Sequence, residues 1–398
     1  MKRFLFLGML VLSSASATAC EFADIVFSTD FDMARVNGCS QLSERSFLLK
    51  ITPENRPINH SPWYAVKVNS KAHSNSGLKE SQRIEIQIEF DQEHPRYLPK
   101  ISTNGVNWKN IPFDIVDNRF VFELEVPLQG VIVAGQELFD NQQYDQWLDE
   151  LAQHETLGSI QLGASTQGRP INAMLSTFSG QTTAKKEWLV LLGRQHPPEV
   201  TGALAMVPFT ERLLSEQSLA QKFRQRFNLF IVPNLNPDGV ANGHWRHNVK
   251  GIDLNRDWQK FSQIESRLVR DKLNALVANG GKMIMAIDFH STQQDVFYTM
   301  PTDYGMMPAK MVESWLDLLK GKTASSFVVR NKPGSSPGRG IFKQYFTDTF
   351  KVHAITYEMG DNTERKMIQH VANQAADTLM QTLLATHPSE FYLSQEIR

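Results

Sequence analysis

From about residue 21 to 135 the chain alternates apolar and polar positions with a period of two. RIEIQIEF (83–90) puts Ile84, Ile86, Ile88 and Phe90 on one face, and FVFELEV (120–126) repeats the pattern less strictly. That period predicts half-buried antiparallel strands. Turn-forming stretches such as NSKAHSNSG (69–77) and STNG (102–105) separate the strands, and no useful helical period appears, so a small β-sandwich is expected. After Gln136 the period changes. QQYDQWLDELAQH (142–154) carries apolar residues at helical spacing, and EWLVLLG (187–193), FNLFIVPN (227–234), MIMAIDF (283–289) and VHAITYE (352–358) are short, nearly continuous apolar runs. Runs of that kind are buried strands of a mainly parallel sheet. Helical stretches near 199–215, 260–279 and 306–320 fall between them, which predicts an α/β domain with helices on both sheet faces. In such a domain ligands bind beyond the carboxyl ends of the strands.

The first nineteen residues follow neither pattern. Lys2 and Arg3 precede the apolar run 4–12, and Ala17-Thr18-Ala19 makes an A-x-A site before Cys20, the layout of a cleaved secretory signal peptide. The run is too short to span a bilayer. The expected organisation is therefore a signal peptide at 1–19, a sandwich at 20–135 and a catalytic domain at 136–390, in a protein that is exported to the periplasm or secreted. Cys20 and Cys39 are the two cysteines of the chain. In an oxidising compartment they are read as a disulfide, with a lipid anchor on Cys20 as the alternative.

Composition adds exclusions. Forty-one basic against 42 acidic residues give a net charge of −1, so no electrostatic footprint points to nucleic acid or an anionic membrane. With 41% hydrophobic residues the chain has ample material for a core, and function must be sought in a site.

Polar residues that could do chemistry collect where the apolar runs end. His196 and Glu199, three positions apart in QHPPE, follow the 187–193 run and can reach one cation, although the pair alone is a weak signal. His290, in DFHS, ends another run; a single histidine there is more often a hydrogen-bonded structural residue. Two histidines and one carboxylate with an open fourth position form a catalytic zinc set. Between them lie NPDG (236–239), GHWR (243–246) and GIDLNRDW (251–258), a stretch of turn formers with two arginines beside an asparagine. It reads either as a solvated loop or as a carboxylate-binding fork.

HPPE, NPDGVANGHWRHNVKGIDLNRDW, DFHS and YEMGDNT, in that order, resemble the zinc metallocarboxypeptidase family, and within it the cytosolic-type branch that carries a β-sandwich ahead of the catalytic domain. PWYAVKV and NGVNWKNIP are similar to that sandwich, and LGASTQGRPI to the entry of the catalytic domain. The resemblance implies one zinc ion held by His196, Glu199 and His290, with Glu358 as general base. It implies that Arg246 polarises the scissile carbonyl and that Asn255 and Arg256 hold the terminal carboxylate of a peptide substrate. His244 and His247 match nothing catalytic and are expected to be structural or surface residues.

The sequence departs from the family pattern where a mobile tyrosine is usual, because that neighbourhood reads Gly334-Ser335-Ser336-Pro337-Gly338. Tyr298, Tyr304 and Tyr345 are the candidates to replace it. Arg339 and Lys343 precede Glu358 and would favour an acidic C-terminal residue if they face the pocket; otherwise they lie on a solvated edge. The alternatives to a peptide carboxypeptidase are a deacylase of N-acyl amino acids, a cell-wall peptide carboxypeptidase, and a non-enzymatic peptide or glycan binder.

Overall fold

The computed structural model describes residues 18–71, 81–176 and 187–391, so most of the expected signal peptide lies outside the described residues. Two sheets face each other in the N-terminal part. One orders the strands Thr18–Glu21, Ile25–Ser28, Ala65–Ser70, Val131–Ala134, Lys100–Ser102 and Lys109–Asn110; the other orders Gly38–Ser43, Ser46–Ile51, Gln82–Phe90, Arg119–Val126 and Asp114–Val116. The period-two residues Ile84, Ile86, Ile88 and Phe90 point inward, where they share a core with Val66, Val68, Val131 and Val133. One pairing departs from the expected antiparallel pattern. Ser46–Ile51 runs parallel to Gln82–Phe90, because the chain leaves the first strand through the 52–64 connection, crosses to the other sheet as Ala65–Ser70 and only then returns, instead of turning back in a tight hairpin.

Cys20 and Cys39 form a disulfide with 6.0 Å between Cα atoms. One cysteine comes from each sheet, so the bond ties the two layers together.

The second part is built on an eight-stranded sheet. Its order is Leu157–Ala164, Pro170–Ser176, Phe227–Val232, Glu187–Gly193, Lys282–Thr292, His353–Gly360, Val296–Thr299 and Asn331–Pro333. The four apolar runs of the sequence are its adjacent central strands, all parallel to one another. Antiparallel strands flank them on both sides. Residues alternate between two cores along a single strand: Leu189 and Leu191 pack on one face, Trp188, Val190 and Leu192 on the other. The helices Val200–Leu214, Met311–Thr323 and Arg365–Ala385 cover the first face, while Ile264–Ala278 and Phe342–Phe350 cover the second.

The two parts are joined by more than the chain. Val200, Val240 and Trp245 of the α/β part are buried in the sandwich's own core. Among the described residues no helix is long and apolar enough to cross a membrane.

Candidate active site

A tight corner places the first two candidate ligands. The strand Glu187–Gly193 ends at a glycine whose added Cβ would lie 2.7 Å from the Met206 sulfur and 3.0 Å from the Pro233 carbonyl oxygen. No larger residue fits there without displacement. Arg194 follows with φ of 51°, and its buried Nε donates to the Pro197 carbonyl at 2.8 Å, which closes the turn that carries His196. Glu199 is the residue before the helix Val200–Leu214. His290 sits near the end of the adjacent parallel strand, opposite Glu358 on the next one.

His196, Glu199 and His290 meet, and Glu358 lines the same cavity. His196 Nδ1 is 2.8 Å from one Glu199 oxygen, and His290 Nδ1 is 2.7 Å from the other. The outer nitrogens are held as well: His196 Nε2 lies 2.9 Å from Asp253 Oδ1, and His290 Nε2 lies 2.7 Å from Asp288 Oδ2. With a metal bound, a carboxylate on each Nε2 would hold the tautomer whose Nδ1 lone pair faces inward, the outer-sphere arrangement typical of metal-binding histidines. Asp288 is anchored in turn by Gln195 Nε2 at 2.7 Å.

The charges follow from this geometry. Burial alone would raise the Glu199 carboxyl, but the His196 and His290 imidazoles hold it well below the ordinary range. Burial would lower His290, yet Asp288 and Glu199 drive it well above the usual histidine value. Asp253 resists the same penalty because His196, Arg246 and Arg256 surround it, and it stays well below the usual range. Glu358 differs: burial, then repulsion from Glu199, push its carboxyl up to about 8. Its Oε2 is buried and makes no hydrogen bond.

The remaining candidates line the same cavity of about 850 Å³. Arg246 donates through Nε to Asp253 Oδ2 at 2.8 Å, and its two Nη groups make no hydrogen bond among the described residues. Asn255 and Arg256 form a short 3-10 turn, with Asn255 Oδ1 accepting from the Phe342 N–H and Arg256 Nη1 donating to the Asn255 carbonyl. Arg339 and Lys343 both line the cavity. Arg339 is exposed, whereas Lys343 is buried, donates to the Thr299 and Gly334 carbonyls, and is pulled by that burial down to about 8.

Of the three tyrosines, Tyr298 alone lines the cavity. Burial and the nearby Glu358 raise its hydroxyl. Tyr304 donates instead to Asp348, and Tyr345 stacks on Trp258. His247 Nδ1 meets Asn55 Oδ1 of the sandwich at 2.7 Å, and His244 Nδ1 meets the His247 carbonyl at 3.0 Å; neither histidine lines the cavity.

Sequence reasoning overlooked several contributors. Asp288 lies two residues before His290 and so shares its strand face, a signal that was there to read. Asp253 was visible within DLNR but carried no role. Arg96 could not be found locally. It comes from the sandwich and reaches the cavity, where it donates to Asp361 at 2.9 Å and to Ser61 Oγ at 2.8 Å. A second cleft of about 830 Å³, on the sandwich beside Trp108, shares no residue with this one.

The donor set fits a single zinc ion. His196, Glu199 and His290 offer ligand atoms that all lie within 4.8 Å of one another, all buried, with nitrogen and oxygen donors suited to that metal. Fold and site together define the class: a mononuclear metal centre with an open side, at the carboxyl ends of parallel strands in a mixed α/β sheet.

Comparison with known proteins makes the assignment specific. The family model described as zinc carboxypeptidase matches residues 144–383, and the chain belongs to that family. It is 24% identical over 259 residues to human cytosolic carboxypeptidase 6, covering 59% of this chain and 50% of that protein. An uncharacterised protein of Zymomonas mobilis is 27% identical over 194 residues, covering 48% and 50%. The chain thus spans about half the length of these curated relatives. The crystal structure of a metallo-carboxypeptidase from Burkholderia cenocepacia superposes with a TM-score of 0.76 at 17% identity, covering 90% of this chain and 99% of that one. A metallo-carboxypeptidase from Pseudomonas aeruginosa gives 0.71 at 20%, covering 90% and 98%. At these identities the superpositions speak for the fold, which embraces the sandwich as well as the α/β part.

Proposed function

We infer that the protein is a zinc-dependent carboxypeptidase that removes the C-terminal residue of peptides. One observation carries this reading: the Glu358 carboxylate without a hydrogen-bond partner on Oε2, a metal-ligand triad and the arginines Arg246 and Arg256 share one cavity. A bound zinc ion supplies Lewis acidity at the open side of the triad. With zinc bound, the cation would favour the ionised form of Glu358, whose buried, unengaged Oε2 takes the proton of the attacking water and returns it to the leaving amine. Arg246 turns its free Nη groups to the scissile carbonyl and stabilises the charge that develops on its oxygen, a contribution of about 2.7–4 kcal/mol for a well-placed donor. Arg256, with Asn255 beside it, clasps the terminal carboxylate, and that clasp limits cleavage to the last residue. Asp253 and Asp288 keep both imidazoles in the ligating tautomer.

An acidic C-terminal residue is the preferred substrate in this reading. Arg339 brings a guanidinium with no partner among the described residues, and Lys343 keeps one of its three N–H donors after serving two carbonyls. The protein acts after export, in the periplasm or outside the cell. The pattern at residues 1–19 and the Cys20–Cys39 bond support that placement, since disulfides persist in oxidising compartments.

The test is a mixed-sequence peptide pool, digested by zinc-loaded protein and read by mass spectrometry beside the Glu358→Gln variant. Single C-terminal losses, richest at Glu and Asp, are expected, with a rate about 10²–10⁴-fold lower in the variant and zinc still bound. An intact pool refutes the carboxypeptidase reading and turns attention to N-acyl amino acids, cell-wall peptides or binding.

A further inference from the structure

The loop that carries Arg246 is seated on the sandwich. The Glu54 carboxylate, from the 52–64 connection, accepts three consecutive backbone N–H groups: Trp245 at 2.7 Å, Arg246 at 2.9 Å and His247 at 2.6 Å. Its side chain is 5% exposed. No lysine or arginine pairs with it among the described residues, and the nearest ring nitrogen, His247 Nδ1, is 3.9 Å away. A buried carboxylate whose partners are three successive amides shapes a backbone concavity, and charge-assisted bonds of this kind are about twice as strong as neutral ones. Neighbouring contacts hold the loop to the same surface: Trp245 Nε1 donates to the Trp63 carbonyl at 3.0 Å, and Asn55 Oδ1 meets His247 Nδ1 at 2.7 Å.

Arg246 is therefore gripped at both ends. Its main chain is held by Glu54 and its Nε by Asp253, whose other oxygen faces the ligand His196. We propose that Glu54 is a positioning residue for the reaction, by which the sandwich aims the Arg246 guanidinium at the scissile carbonyl. This rests on the role given to Arg246 above. The sandwich is then a working part of the active site, although it supplies no metal ligand.

Glutamine in place of Glu54 must turn its amide N–H₂ toward at least one of the three amide donors, so at least one bond is lost while shape is kept. In zinc-loaded Glu54→Gln protein kcat should fall on the order of 10- to 100-fold, with KM and bound zinc within about threefold of the parent. Glu54→Asp, which keeps the charge on a shorter stem, should fall between the two. The same change made in an Arg246→Ala background should alter kcat less than about threefold, because a residue that acts through Arg246 has nothing left to aim. A merely structural role would not give this coupling.

A kcat within about threefold in Glu54→Gln, or an equal loss in both backgrounds, overturns the proposal and leaves the Arg246 role standing. An Arg246→Ala protein with undiminished kcat overturns both. If neither Glu54 variant folds, the residue serves stability and the proposal also falls.

Discussion

Gly202 lies in the first turn of the helix that follows Glu199, against the strand that carries His290. An added Cβ would stand 2.6 Å from the His290 carbonyl oxygen, 2.8 Å from its carbon and 3.0 Å from its Cα, where ordinary contact begins at 3.4 Å. Helix and strand must then part by about 0.8 Å, since the obstacle is main chain and cannot rotate away. The local ties are stiff: the Gly202 N–H and Thr201 Oγ1 both donate to Ser291 Oγ at 2.8 Å. Glu199 rides on one side of the contact and His290 on the other, so the separation opens between two of the proposed ligands. Metal sites keep ligand distances within about 0.2 Å. Gly202→Ala should therefore weaken zinc binding at least as much as loss of an outer-sphere partner, on the order of 10- to 100-fold.

The metal-free protein should lose no more than about 2 kcal/mol of stability. Overpacking costs about 1–3 kcal/mol, and alanine recovers about 1 kcal/mol of helix propensity over glycine. Competition titration against a chromophoric chelator, with thermal unfolding of the metal-free protein alongside, separates the two effects. A variant that binds zinc within about threefold of the parent would refute the argument that this close approach sets the ligand spacing.

Two further outcomes follow from neighbouring geometry. Gly340 has φ of 64°, and a Cβ there would collide with the Arg256 carbonyl, so Gly340→Ala should shift the carboxylate clasp. Steady-state kinetics should give a KM raised about tenfold with kcat and zinc content nearly unchanged, and an unaltered KM would count against the role of Arg256. Lys343 is charged below its pKa of about 8 and neutral above it, while a substrate carboxylate stays ionised throughout. The kcat/KM ratio for acidic over neutral C-termini should thus decline as pH rises through 8, and that slope should vanish in Lys343→Met; a parallel decline in both proteins would exclude the lysine from recognition.

Much of the α/β part was legible because its signals are local. A buried parallel strand writes itself as an apolar run, and His196 and Glu199 sit on one turn three residues apart. The sandwich announced its strands by their period, but not the parallel pairing of Ser46–Ile51, which is decided by a connection and not by the strand. Glu54 and Arg96 were illegible for a related reason. Glu54 meets its partners 191 to 193 positions away, and Arg96 meets Asp361 across 265. Neither lies in a stretch whose period or composition marks it. Tertiary contact alone gives them meaning.

His290 and Glu358 occupy matching positions on adjacent parallel strands. Their spacing is consequently a property of the sheet, set by main-chain hydrogen bonds at about 4.8 Å between strands. Loops and neighbouring residues can change without altering that main-chain spacing. The proposed ligand and the proposed proton carrier are mounted on a common ruler, and substitutions around them can accumulate while the main-chain interval between them stays as it was.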